Sequence, residues 1–330
     1  MVSRHVSGRH EADLSSGTEP VPIPLVETDR QSIEDLFRVF HNYVTDSVLP
    51  DGTPLSNSVP PYTYFNDDRQ RQQQQQDSDD QPDDPYICTC IESSDSSWLC
   101  TAQDGDSCDC VAQFGNFYSA AQHETPLNLK ALPPSLPLVE CSPSCPCAER
   151  CSNRRTQLCV RIPIAIRLSP SGGLGAFYDP PNETSLPSGT FLSLYAGEYL
   201  TTSQARTRWS ETPRDQGNYT LSLRLPEMTV HIDPRHVGNV GRFLNHSCQP
   251  NCLIEVVRWG GGPGWPRAAI FAKRQVEPGE ELTFDYANAS GASQAIWPRE
   301  KAGESGSEGR TRCRCGAKQC RGFMPFDETL

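Results

Sequence analysis

Hydrophobic and polar positions change rhythm several times along this chain of 330 residues. The most regular part lies beyond Arg161. Four short apolar or alternating runs, at 162–168, 190–195, 219–225 and 268–272, read as β-strands. Thr201-Thr202-Ser203 offers an N-cap for a short helix through Trp209, and residues 237–244 suit another helical turn. Residues 259–266 form a Gly/Pro-rich loop. No internal repeat is visible. The pattern predicts a mainly β fold with short helices.

Upstream the pattern is looser. Residues 1–35 are polar and Pro/Ser-rich and are expected to be disordered. Residues 36–66 carry Phe37, Val39, Phe40, Tyr43, Val48, Leu49, Tyr62, Tyr64 and Phe65 among turn signals. They read as an N-terminal arm packing on the body; a linker with stray aromatics fits equally well. Residues 67–85, with glutamines at 72–76 followed by aspartates, are a low-complexity linker. Residues 291–312 are Gly/Ser/Glu-rich and read as a second, flexible linker.

Charge sharpens this outline. The formal net charge is −12, and residues 77–109 hold ten acidic side chains with no Lys or Arg. Such runs commonly serve solubility alone. The acidity argues against general nucleic-acid coating and suits a basic partner, and no direct sequence-specific nucleic-acid binding is expected. The start, Met1-Val2-Ser3-Arg4-His5, lacks a signal-peptide pattern, and no run of about 18 apolar residues occurs. Neither secretion nor membrane attachment is expected.

The fifteen cysteines then call for a reduced, metal-based explanation. Nine lie in one block: Cys88, Cys90, Cys100, Cys108, Cys110, Cys141, Cys145, Cys147 and Cys151. Zinc is the first choice and an iron–sulfur cluster the second. Six terminal and three bridging thiolates would fill the twelve positions of three tetrahedral zincs. Few apolar residues accompany the block, so it needs metal to fold. A second set, Cys313, Cys315 and Cys320, is one ligand short. Either water completes it, or a distant cysteine does, with Cys248 the natural candidate. Cys159 and Cys252 remain as reduced core thiols.

Several motifs in order now resemble a known family. They are the nine-cysteine block, the loop Asn245-His246-Ser247-Cys248-x-Pro250-Asn251, the strand Glu281-Leu282-Thr283-Phe284-Asp285-Tyr286, and the final C-x-C-x4-C. Together they resemble the pre-SET, SET and post-SET arrangement of S-adenosylmethionine-dependent protein lysine methyltransferases. The resemblance is to the Su(var)/Clr-like histone H3 lysine 9 branch, in its short fungal form without a chromodomain. It implies a pre-SET zinc cluster over 86–151, a knotted β SET catalytic domain over 152–290, and a zinc-binding post-SET segment over 313–330.

Residue by residue, the resemblance implies a cofactor turn at Gly173-Leu174-Gly175, with Tyr219, Arg242, Phe243, Asn245 and His246 completing the S-adenosylmethionine site. An aromatic after the last cysteine, Phe323 or Phe326, would close it. Tyr286 would be the catalytic tyrosine, Tyr195 a wall of the lysine channel, and Phe284 the residue that permits di- and trimethylation. Three zincs would sit in the pre-SET cluster and one in the post-SET site. The implied partners are the histone H3 N-terminal tail and chromatin-associated proteins, in the nucleus on chromosomes. Arg224 stands where the branch carries an acid that reads the peptide, which leaves the target lysine open. The alternatives are another histone or non-histone substrate, or a catalytically dead SET scaffold.

Overall fold

The computed structural model describes residues 12–26, 28, 30–55, 87–88, 90, 100, 108–118, 126–130, 132, 137–147, 151–213, 217–226, 228–260, 264–288 and 311–325. In chain order the elements begin with α1 (Arg30–Val39), β1 (Asn42–Tyr43), α2 (Asp109–Phe114), β2 (Leu138–Glu140), β3 (Ile164–Leu168) and β4 (Leu174–Tyr178). They continue with β5 (Phe191–Tyr195), β6 (Gly197–Leu200), α3 (Thr202–Glu211), β7 (Leu221–Arg224) and β8 (Thr229–Gly238). The last are β9 (Asn245–His246), β10 (Cys252–Trp259), β11 (Arg267–Ala272) and β12 (Thr283–Phe284).

Two four-stranded sheets carry the body. In one, β8 is central, with β6 and β7 antiparallel to it and β1 parallel. In the other, the order is β2-β10-β11-β5. β3 and β4 form a hairpin, and β9 pairs with β12 in parallel. The main core includes Ile164, Leu192, Tyr199, Leu223, Ile232, Leu244 and Ile270, all nearly inaccessible to solvent. The structure is mainly β with short helices, as expected. Among the described residues no helix is long and apolar enough to cross a membrane.

Helix α3 starts where its cap predicts. The Thr201 side chain accepts from the Gln204 N–H, and the Gln204 side chain returns a bond to the Thr201 N–H. The longest strand, β8, is invisible to an apolar-pattern reading because it buries polar residues. His231 lies between the hydroxyls of Thr202 and Ser222 at 3.0 and 2.8 Å. Asp233 and Glu198 share Arg208 at 3.0 and 2.6 Å. Internal partners thus replace water for groups that composition alone assigns to a surface.

The expectation of disorder over 1–35 fails for residues 12–26. The Asp13 carboxylate accepts the N–H groups of Ser15, Gly17 and Ile23 at 3.0, 2.8 and 2.8 Å. That closed loop aims Leu14, Ile23 and Leu25 into the main core, where each is buried. Leu25 bridges Ile166 of β3, and Glu19 accepts from the Tyr43 hydroxyl and the Val160 N–H. The polar side chains here satisfy the backbone, so polarity does not translate into solvation.

The arm packs on the body as well. Phe40 is buried, β1 joins β8, and Val48 bridges Glu198. Its aromatics Tyr62, Tyr64 and Phe65, the linker 67–85, nearly all of 291–312 and Phe326 lie outside the described residues. Of the two cysteines assigned to the core, Cys252 is buried but Cys159 is exposed. Cys159 follows the short 3-10 turn Arg155–Gln157, in which Arg155 and Thr156 are buried.

Candidate active site

The parallel pairing of β9 and β12 creates the site. Register places Thr283 opposite Asn245 and Phe284 opposite His246, and the Ser247 N–H donates to the Phe284 carbonyl at 3.1 Å. Past Phe284 the chain turns into a short 3-10 segment, Tyr286–Asn288, which brings Tyr286 under the Leu244 carbonyl. The Tyr286 hydroxyl donates to that carbonyl at 3.0 Å. The rings of Phe284 and Tyr286 lie 4.6 Å apart, and Tyr195, at the end of β5, meets Phe284 edge-on at 6.1 Å. The Tyr195 hydroxyl donates to the Tyr219 carbonyl. Burial raises both phenol pKa values above their ordinary range, so both hydroxyls stay protonated near neutrality.

Beside this aromatic wall lies the β3–β4 turn. Gly172 and Gly173 adopt φ of 106° and 70°, a region that side chains disfavour, and Gly173 faces open space. Gly175 permits a close approach: a Cβ there would lie 2.4 Å from the Glu281 Oε1 and 3.1 Å from the Asn245 Nδ2. Asn245 donates to Leu174 O at 3.2 Å and to Glu281 Oε1 at 2.7 Å. The other Glu281 oxygen accepts from the Ser169 hydroxyl at 2.9 Å. Glu281 therefore ties the glycine turn, β9 and the approach to β12 together. In the sequence Glu281 stands within a strand motif and carries no assigned role. Its signal was the neighbouring glycine, which makes sense only once the fold brings the two together.

On the other side, the buried Arg242 guanidinium lies over the ring of Tyr219 at 4.5 Å, with Phe40 and Phe243 at 5.0 and 5.3 Å. Its NH1 donates to the Arg235 carbonyl at 3.1 Å. His246 accepts the Tyr286 N–H at Nδ1, which leaves the proton on Nε2, 3.4 Å from the Cys248 sulfur. Burial holds the imidazole below its usual pKa, against the pull of the Asp285 carboxylate. That carboxylate is engaged by Arg321 at 2.5 Å.

Both cysteine sets converge. All nine pre-SET cysteines and Val111 form one buried cluster. Within it the sulfurs of Cys88, Cys90, Cys100 and Cys108, of Cys88, Cys100, Cys141 and Cys147, and of Cys88, Cys110 and Cys145 lie within 4.8 Å of one another. Cys88 is common to all three groups and Cys100 to two, whereas Cys151 lies in the cluster but in none of them. The second set is completed by Cys248, whose sulfur lies within 4.8 Å of those of Cys313, Cys315 and Cys320. The donor chemistry fits zinc in both places.

The model of the SET domain family matches residues 183–287. A probable histone-lysine N-methyltransferase, set-23 of Caenorhabditis briggsae, is 36% identical over 198 residues, covering 57% of this chain and 73% of that protein. The chain belongs to the SET-domain lysine methyltransferase family. Other SET-domain relatives include the histone-lysine N-methyltransferase SETMAR of Rattus norvegicus, 34% identical over 59% of this chain. The match spans 61% of that protein's length. The histone-lysine N-methyltransferase of Schizosaccharomyces pombe that is H3 lysine-9 specific is 34% identical, over 57% of this chain and 38% of its own. Among solved structures, the methyltransferase domain of human SETMAR superposes with a TM-score of 0.65 at 26% identity, covering 97% of this chain and 99% of that one.

Within this SET fold, the residues singled out from sequence gather at one place. Gly173, Leu174, Gly175, Asn245 and His246 line one side, Tyr195, Phe284 and Tyr286 form the wall, and Tyr219, Arg242 and Phe243 form the far side. Phe323 sits in the post-SET loop, bridged to Arg312. Phe40 of the arm is a second participant that sequence reasoning did not assign.

Proposed function

We propose that this chain is an S-adenosylmethionine-dependent histone lysine N-methyltransferase that di- and trimethylates histone H3 at lysine 9, acting on chromosomes in the nucleus. The observation that carries the reading is the aromatic wall of Tyr286, Tyr195 and Phe284 standing beside an open glycine turn. The open face of Gly173 fits a cofactor held near Asn245, His246, Tyr219, Arg242 and Phe243, while Gly175 lets Glu281 and Asn245 pack against the turn beneath it. Bound S-adenosylmethionine supplies a methyl group already activated by its sulfonium charge.

The chain's own residues do the rest. Each channel tyrosine donates its proton to a backbone carbonyl, Leu244 for Tyr286 and Tyr219 for Tyr195. The phenol oxygens keep their lone pairs as acceptors for an amine N–H. A lysine amine ordinarily titrates at about 10.4; burial against three rings lowers that value and favours the neutral nucleophile. Alignment within the wall supplies the remaining advantage. Phe284 has no hydroxyl to hold the amine or a water, which supports repeated transfer.

Zinc, three ions in the pre-SET cluster and one at Cys248, Cys313, Cys315 and Cys320, would fix both flanks of the channel. β7 lies at the edge of the β8 sheet, where an extended histone tail would add as a strand. The resemblance to the H3 lysine 9 branch supports that target, and the acidic net charge of −12 suits a basic tail. Arg224, at the end of β7, favours a second reading in which another lysine, histone or not, is the target. The assembled tyrosines disfavour a dead scaffold. Incubation with labelled S-adenosylmethionine and recombinant histones tests the proposal: label on H3 supports it, and no label on any histone contradicts it.

A further inference from the structure

The N-terminal arm reaches a part of the molecule far from it in sequence. Phe40 follows α1, with its N–H bonded to the Leu36 carbonyl, and its side chain is 2% exposed. β1 holds the arm in register by pairing Asn42 and Tyr43 with Val237 and Gly238, directly before the Val240–Phe243 turn that carries Arg242. The His41 N–H donates to His236 O and the Val44 N–H to Gly238 O, both at 2.8 Å, so the backbone is fixed directly after Phe40, as α1 fixes it before.

In that position the Phe40 ring meets Phe243 edge-on at 6.3 Å and takes the Arg242 guanidinium at 5.0 Å. The same guanidinium lies 4.5 Å over Tyr219, which is 36% exposed. The Tyr219 carbonyl in turn holds the Tyr195 hydroxyl. A buried guanidinium needs its charge met by carbonyls and π-faces. Here one carbonyl and three rings do so, and one of the rings, Phe40, comes from the N-terminal arm.

We propose that Phe40 is a positioning residue for the cofactor side of the site: it clamps Arg242, which props Tyr219 and through it Tyr195. This rests on the methyltransferase reading above. The arm is then part of the working site, and its removal costs more than stability.

The test compares purified full chains carrying Phe40→Leu, Phe40→Tyr or Leu25→Ala with the original chain. Leu25 is equally a buried core residue, but it sits against Ile166 of β3. Calorimetry gives the Kd for S-adenosylhomocysteine, thermal melting gives Tm, and steady-state assays separate cofactor KM from peptide KM. Phe40→Leu should weaken cofactor binding about tenfold and raise cofactor KM to match, with peptide KM within about twofold. Phe40→Tyr keeps the ring and should restore most of the affinity. Leu25→Ala should lower Tm with the cofactor Kd unchanged. Cofactor affinity unaltered in Phe40→Leu, or lost equally in Leu25→Ala at the same loss of Tm, overturns the clamp. If the original chain itself binds no S-adenosylhomocysteine, the functional reading fails and the clamp fails with it. An original chain that binds while Phe40→Leu binds equally well removes the clamp alone.

Discussion

Phe284 sits between two tyrosines whose hydroxyls are already committed to carbonyls, so the polarity of its own edge is the variable left to set the product. Phe284→Tyr adds a hydroxyl that can hold the amine or a water, and the product should shift toward monomethyl-lysine, read by mass spectrometry of the peptide. Undiminished trimethylation contradicts that role. A second residue-scale prediction concerns Glu255 on β10, which shares a strand face with Leu253 and Val257. Burial pushes its carboxyl up to about 7 from 4.5. The native state therefore holds this proton more tightly than the unfolded chain does. The resulting stability is full below about pH 4.5 and is lost as pH rises through 7. Glu255→Gln should leave the protein about 2 kcal/mol more stable than the original at pH 8 and nearly equal at pH 4.5, measured by urea unfolding. A constant difference across that range would contradict the raised pKa of this half-buried carboxyl. Asn245, His246 and Tyr286 were legible because the motif places them within short segments. Glu281 and Phe40 were not, since each acts across a distance in the chain that only the fold closes.

At the scale of elements, the cysteine blocks behave as loops in need of an organising ion. Among the described residues only Val111 joins the nine cysteines in their buried cluster, too little apolar area for a core. Elemental analysis should find about four zincs per chain. Cys248→Ser should lose about one of them, whereas Cys159→Ser, at an exposed thiol, should keep all. A value near one for the original chain would refute a bridged three-ion cluster. The spacing of the cysteines made both sites legible. Strands β8 and β10 were harder, because His231, Asp233, Glu255 and Arg258 interrupt the apolar rhythm. The segment 12–26 looks disordered in the sequence for the opposite reason: its serines and Asp13 bond to one another and to the backbone, and three apolar side chains go inward.

For the whole molecule, the glycine turn, the β9–β12 pair, the Arg242 cage and the post-SET loop meet around one aromatic wall. Arg321 fastens the post-SET loop to Asp285, the residue beside Tyr286, and His246 joins the wall to Cys248. The aromatic wall and the Cys248 set are therefore in direct contact, and if the cysteines hold zinc as proposed, chelation should abolish transfer together with the folded flanks. The metallated charge also differs from the formal −12. Thirteen thiolates against four divalent ions would leave the protein about five units more negative, which strengthens the case for a cationic peptide substrate. The central claim is that this wall performs lysine methylation on histone H3. It is tested most directly by mass-spectrometric mapping of an H3 tail peptide after incubation with S-adenosylmethionine and either the original chain or Tyr286→Phe. The account predicts di- and trimethylation confined to lysine 9, lowered at least about a hundredfold in the variant with its fold intact. Methylation at a different lysine, or transfer undiminished by Tyr286→Phe, would contradict it.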